Sequence, residues 1–153
     1  MTSNYHSPVG WLEISASDKA LQGIRFLEST PESHGRPRHN IIQQVVAELS
    51  EYFRSKRKDF SFPVDPRGTV FQQSVWKQLR EIPCGQTTTY GELAGRLGGP
   101  RKVRAVGRAN GQNPIPIVIP CHRVIGINGN LVGYAGGINR KQFLLRHEGA
   151  LLL

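Results

Sequence analysis

Residues 89–110 read TYGELAGRLGGPRKVRAVGRAN, and this stretch decides the fold class of the second half of the chain. Thr89 with Glu92 three residues on is a capping-box pattern, opening a short helix predicted to run to about Leu97. Gly98-Gly99-Pro100 predicts a turn, and Arg101 to Asn110 a second short helix. Helix, Gly-containing turn, basic helix is the outline of a helix-turn-helix. Many helical pairs share that outline, so the surroundings must carry the assignment. The second helix bears Arg101, Lys102, Arg104 and Arg108 together with Ala105, Gly107 and Ala109. Small residues let a backbone approach a partner closely, which serves either tight internal packing or entry to a narrow groove in DNA.

Charge supports a polyanionic partner. The chain has 153 residues and a formal net charge of +9. Residues 1–65 balance eight Lys/Arg against eight Asp/Glu, so the whole excess lies in residues 66–153. That half has only three acids, Glu81, Glu92 and Glu148, and none between the last two. A solvated basic surface would read the same way; a nucleic-acid-binding half is the sharper interpretation.

Working outward, Thr69 and Gln72 form another capping box, before a core stripe of Phe71, Val75, Trp76 and Leu79. Asn139 with Gln142 is a third, opening a C-terminal helix with Phe143, Leu144 and Leu145 that Gly149 should stop. Asp65-Pro66-Arg67-Gly68 marks a boundary, giving units 1–65 and 66–153. In the first, Gly10–Ser17 alternates apolar and polar residues as a strand, and Leu21–Leu27 follows as a second. Ser29–His39 predicts a loop, Asn40 with Gln43 a capped helix, and Phe60–Val64 a last strand. Ile41, Ile42, Val45, Val46, Leu49, Tyr52 and Phe53 form that helix's core stripe, and the basic run 54–58 suits its C-terminus.

Composition narrows the class further. No run is apolar enough to span a bilayer, and the N-terminus lacks a signal-peptide pattern, so a cytoplasmic protein is expected. Cys84 and Cys121 could pair, but two thiols in a reducing compartment are favoured. There is no CxxC and no Cys/His cluster at zinc spacing, so no metal is expected. No nucleotide-binding loop is present, and no cofactor is expected.

The candidate chemistry lies in Pro120-Cys121-His122-Arg123-Val124, after the apolar run Ile115–Ile119. A proline before the cysteine restricts the backbone, so the sulfur should be held in one place. A cysteine is mostly protonated at neutral pH, and an adjacent base or cationic field raises its reactive fraction. His122 is adjacent and needs an orienting partner. Glu92 is claimed by a cap and Glu81 precedes the Pro83 turn, which leaves Glu148. Cys121, His122 and Glu148 would then be nucleophile, base and orienter. His6, His34, His39 and His147 read as ordinary histidines, and Cys84 as structural. Tyr90 is either a core aromatic or a functional phenol.

These residues resemble the O6-alkylguanine-DNA alkyltransferase family. Ile119–Val124 is similar to its active-site signature, flanked by Arg104-Ala105-Val106-Gly107, Asn113-Pro114, Gly133-Tyr134-Ala135-Gly136-Gly137 and Leu144–Gly149. The similarity is strong from about Gly68 to Gly149 and loose over 1–65. It implies an α+β fold: a small N-terminal α/β domain, ribonuclease H-like with a short antiparallel sheet, and a mostly helical, winged-helix-like C-terminal domain containing the helix-turn-helix. It implies that duplex DNA is bound in the minor groove and the damaged guanine is flipped out. The alkyl group then moves irreversibly to Cys121, with His122 as base through a bridging water and Glu148 orienting it. Tyr90 would hydrogen-bond the leaving guanine. Backbone groups of Cys121, Val124 and Ala135 would read its edge, and the loop around Tyr134 would bound the pocket. Asn113 would brace the active-site loop, Arg104 would fill the space the base leaves, and Arg101, Lys102, Arg108 and Arg123 would meet DNA. O4-alkylthymine is a second candidate substrate. The resemblance implies a single-turnover monomer, with cooperative DNA binding left open.

Three departures stand out. Some relatives carry zinc ligands in the N-terminal domain, and residues 1–65 here hold no cysteine. Cys84 stands where relatives often have an aromatic, and Ala135 where some have serine. Two rival readings are a Cys-His-Glu thiol hydrolase, which leaves the basic half unused, and a non-enzymatic damage-sensing DNA-binding protein, which would not need Cys121.

Overall fold

The computed structural model describes residues 1–33, 35 and 37–151. The expectation for His34 lies outside them. The chain forms two compact units, Met1–Arg67 and Gly68–Leu153.

The first unit is an antiparallel sheet of three strands, β1 (Thr2–Ser7), β2 (Gly10–Ala16) and β3 (Leu21–Phe26), in the order β1-β2-β3. Helix α1 (Asn40–Phe53) packs on it. Period-two alternation buries Leu12, Ile14 and Ala16 of β2 against Ile42, Val45, Leu49 and Tyr52 of α1. Strand β1 was not expected from the sequence: Thr2-Ser3-Asn4-Tyr5-His6-Ser7 is polar on both faces, and only its pairing with β2, Tyr5 opposite Leu12, makes it a strand. The predicted strand at 60–64 shrinks to one parallel bridge between Val64 and Leu21, because Pro63 has no N–H to extend a ladder. The α1 capping box is also absent. His39 takes the N-cap position, Asn40 is already helical, and the Gln43 amide donates to the Pro37 carbonyl at 2.8 Å.

The second unit opens with α2 (Val70–Leu79), whose capping box is complete: Gln72 N–H donates to Thr69 Oγ1 at 3.1 Å and Thr69 N–H to Gln72 Oε1 at 2.8 Å. Gly68 is required here, since a Cβ would come within 2.4 Å of the Trp76 ring. Strand β4 (Thr88–Thr89) leads into α3 (Tyr90–Arg96), and a 3₁₀ turn (Pro100–Lys102) into α4 (Val103–Gly111). Thr89 caps α3 by accepting from Glu92 N–H. The Glu92 carboxylate accepts instead from the Thr88 hydroxyl at 3.0 Å. The small residues of α4 divide by role. Ala109 is buried and its carbonyl accepts from the Trp76 indole at 2.9 Å, Gly107 faces the Tyr90 ring, and only Ala105 is exposed beside the arginines.

Residues 115–120 run buried into a 3₁₀ turn (Cys121–Arg123), followed by β5 (Val124–Ile125). Strand β5 pairs in parallel with β4, Thr88 beside Val124 and Thr89 beside Ile125. That pairing brings the start of α3 next to the reactive turn. Helix α5 (Ile138–His147) starts at Gly137, with no side-chain cap from Asn139, which already lies inside the helix. Gly149, at φ +82°, ends it by donating to the Arg146 carbonyl. Leu144 and Leu145 of this helix are buried, whereas Phe143 is 38% exposed and stacks on His147. Among the described residues no helix is long and apolar enough to cross a membrane.

Candidate functional site

Cys121 begins the 3₁₀ turn and is 5% exposed. The loop before it is held from inside: Asn113 Nδ2 donates to the Ile119 carbonyl at 2.7 Å, and Asn113 Oδ1 accepts from Ile115 N–H at 3.0 Å. Ile117, buried and β-branched, sits at φ +75°, a conformation such residues adopt only under constraint. Burial pushes the Cys121 thiol up, to about 11, against a hydrogen bond from Asn113 and the charge of Lys141. The resting sulfur is therefore protonated, and the site must remove that proton.

His122 is fully buried, and its Nε2 donates to Glu148 Oε2 at 2.8 Å. Burial lowers its basicity, partly offset by Glu148, so the ring is a neutral imidazole. With Nε2 donating, the lone pair is on Nδ1, which has no hydrogen-bond partner among the described residues. Burial alone would raise the Glu148 carboxyl, but hydrogen bonds and charge from His122 and Arg123 hold it well below the ordinary range.

Arg123 corrects an expectation. It is 6% exposed and does not present its guanidinium for DNA. Nε and Nη2 each donate to Glu148 at 2.9 Å, and Nη1 donates to the Ile82 carbonyl at 2.7 Å. A buried guanidinium without a counter-charge would be costly, and the carboxylate 25 residues away supplies one. The turn after α2 supports the pair from behind: Gly85, at φ +88°, lies so close that a Cβ would come within 3.1 Å of the Glu148 carbonyl.

On the other side of Cys121, the Tyr90 hydroxyl donates to the Val132 carbonyl at 3.2 Å. Burial pushes the pKa of this phenol up, and the Cys121 sulfur adds to the effect, so it is a phenol rather than a phenolate. Tyr134 is 9% exposed and is likewise held protonated by burial, with Cys121 contributing. Val124 is buried and Ala135 exposed, at two edges of the same region. Lys141 was not among the expected site residues. Its side chain is fully buried, and Nζ donates to the carbonyls of Val124 at 2.6 Å and Val132 at 2.9 Å. Asn110, also unanticipated, lies beside the Tyr90 phenol and points its amide at the Cys121 carbonyl, 3.5 Å away. Both look like ordinary helix positions in sequence; Lys141's interval of seven from Glu148 was the available signal.

Arg101, Lys102, Arg104 and Arg108 are all exposed, from the 3₁₀ turn through α4. Cys84 and Cys121 are thiols, not a disulfide. Among the described residues no cluster of His, Cys, Asp and Glu is arranged to hold a metal.

Residues 70–150 match the family model described as 6-O-methylguanine DNA methyltransferase, DNA binding domain, and residues 2–66 match that family's ribonuclease-like domain. A methylated-DNA–protein-cysteine methyltransferase of Shigella flexneri is 59% identical over 146 residues, covering 95% of this chain and 84% of the relative. One from Mycobacterium tuberculosis is 48% identical over 145 residues, covering 93% and 88%. Among solved structures, Mycobacterium tuberculosis OGT in complex with DNA is similar at a TM-score of 0.87 and 46% identity, over 97% of this chain and 92% of that one. With both units matched and the reactive turn, its histidine and its glutamate assembled in one of them, the chain belongs to the 6-O-methylguanine-DNA methyltransferase family.

Proposed function

We propose that this protein repairs alkylated DNA directly, moving an alkyl group from O6 of guanine in duplex DNA to Sγ of Cys121. The observation that carries this is a buried thiol in one turn with a neutral histidine whose Nε2 is tied to a buried carboxylate, leaving Nδ1 as the acceptor. His122 takes the thiol proton at Nδ1, directly or through one water. The S–C bond forms as the C–O6 bond breaks, and the electron pair leaves on guanine. The Tyr90 phenol hydrogen-bonds that developing anion, which is electrostatic stabilisation. Backbone groups at Val124 and Ala135 meet the base edge, with Tyr134 bounding the pocket.

A sulfur only 5% exposed cannot reach a base stacked in a duplex, so the damaged nucleotide flips out. The exposed Arg101, Lys102 and Arg108 take the phosphates, Ala105 allows close approach in the minor groove, and Arg104 enters the space left by the base. The product is a thioether with no step that restores the thiol, so each molecule, acting as a monomer, works once. A thiol that must stay reduced until used fits the cytoplasm.

Incubation with duplex DNA carrying one O6-methylguanine tests this by intact mass and peptide mapping. One methyl on the Cys121 peptide, with repair ending at one equivalent, is expected; an O4-methylthymine duplex tests the second substrate. Continued turnover points to a hydrolase, binding without a mass change to a damage sensor, and either overturns the proposal.

A further inference from the structure

The mechanism above leaves the buried ammonium of Lys141 unused. Lys141 lies on α5, seven residues before Glu148, so the two fall on one helix face nearly two turns apart. It is 0% exposed, and a buried ammonium is retained only where it is satisfied. Two of its hydrogen bonds go to carbonyls from separate segments: Val124, at the end of the reactive turn, and Val132, in the loop ahead of Tyr134. The Val132 carbonyl also accepts from the Tyr90 hydroxyl, and the ammonium lies 5.9 Å from the centre of the Tyr90 ring. Gly133 next in the chain is packed so tightly that a Cβ would sit 3.2 Å from that hydroxyl. One cation thus joins the reactive turn, the pocket loop and the phenol.

Resting on the alkyl-transfer reading, we propose that Lys141 is a positioning residue for that reaction. Its ammonium pins the Val132 loop and the Tyr90 hydroxyl to the Val124 end of the reactive turn, and supplies the positive charge against which a thiolate at Cys121 forms. Helix α5 then serves both halves of the site, Glu148 setting the base and Lys141 setting the leaving-group side.

The charge is conditional on pH. Burial brings Lys141 down to about 8, with Cys121 opposing the shift. The groups around it titrate elsewhere. Burial puts His122 below 6.5, Cys121 is near 11, and Tyr90 and Tyr134 lie above 10. Glu148 ionises well below the ordinary range, and Arg123 and Arg140 add guanidinium charges that act on His122 and Tyr134. Loss of the Lys141 charge therefore predicts an alkaline fall in rate near pH 8.

The test is single-turnover transfer from an O6-methylguanine duplex, with protein in excess, from pH 6.5 to 9.5 and over a range of DNA concentrations. Wild-type protein that transfers no methyl at any pH refutes the function proposed above rather than the role of Lys141. Given transfer, the wild-type saturating rate is expected to fall above about pH 8. Lys141→Met, similar in length but uncharged, should be about tenfold or more slower at neutral pH with half-saturating DNA little changed. Its rate should also be flat across the alkaline range. A folded Lys141→Met protein with the wild-type saturating rate and alkaline profile overturns the proposal. If that variant does not fold, the wild-type profile decides alone, and a rate that stays level from pH 7 to 9.5 overturns it.

Discussion

Replacing Glu148 by glutamine changes one atom and breaks the site in a way the geometry lets us work out. The carboxylate accepts three bonds: from Arg123 Nε on Oε1, and from Arg123 Nη2 and His122 Nε2 on Oε2. An amide has one oxygen. With its NH₂ at the Oε1 position, it faces the Arg123 Nε–H, donor to donor. With its NH₂ at the Oε2 position, it faces Nη2 and forces His122 to accept at Nε2, which moves the ring proton to Nδ1 and removes the base. Either way Arg123 loses its counter-charge. The side chains of His122 and Glu148 are fully buried and that of Arg123 is 7% exposed, so solvent does not soften the loss. Breaking one partner of such a buried pair costs about 3–5 kcal/mol. For a chain of this length that lowers the melting temperature by roughly 10 °C. Losing the general base slows transfer by about 10²–10⁴-fold. The assay is single-turnover methyl transfer followed by mass, at a temperature where circular dichroism shows Glu148→Gln folded. A folded variant that transfers within about threefold of the wild type would refute the assigned roles of His122 and Glu148. A melting temperature within a degree or two of wild type would refute the buried-charge account of Arg123.

Other outcomes follow from the same geometry. Glu148 and His122 both titrate below their ordinary values of 4.5 and 6.5, so the stability they contribute is full above those values and is lost as pH falls. Urea unfolding should show stability dropping from about pH 6.5 downward, and in Glu148→Gln the loss below pH 4.5 should become smaller, Glu48, also held below its ordinary value, still contributing. Gly85→Ala places a Cβ at a φ of +88° and 3.1 Å from the Glu148 carbonyl, so it should cost about 1–2 kcal/mol in the same experiment. Arg101→Ala and Arg108→Ala should each reduce the salt slope of duplex binding by about one, whereas Arg123→Met should leave that slope unchanged and lower the melting temperature. Cys121→Ala should still bind the duplex in a gel-shift assay and transfer nothing; any repair by it would exclude Cys121 as the acceptor.

What depends on neighbours in the chain was legible from residue types and spacing. The Thr69 box, the Thr89 cap, the alternating β2 strand and the Ile42, Val45, Leu49 and Tyr52 positions of the α1 stripe are set by bonds and periods within a few residues and fall where expected, while Ile41, Val46 and Phe53 of that stripe stay half-buried. The same local rule misplaced the starts of α1 and α5, because how the chain enters a helix depends on the segment before it: Pro37 and His39 in one case, Gly137 in the other. The pairing of His122 with Glu148 was also within reach, since the basic half offers so few acids that elimination could choose among them. Arg123 was beyond it. A guanidinium reads as surface charge until the fold closes a carboxylate 25 residues away around it. Strand β1, polar on both faces, exists through β2 alone. Lys141 resembles any helix lysine until α5 buries it between two carbonyls and a phenol contributed by three separate segments. Residue types and their spacing establish that a thiol, a base and a cationic face are present. Which charges face water and which lock the site together was decided by the tertiary structure, because a charge takes its role from its burial and its partners, and both are made by segments far apart in the chain.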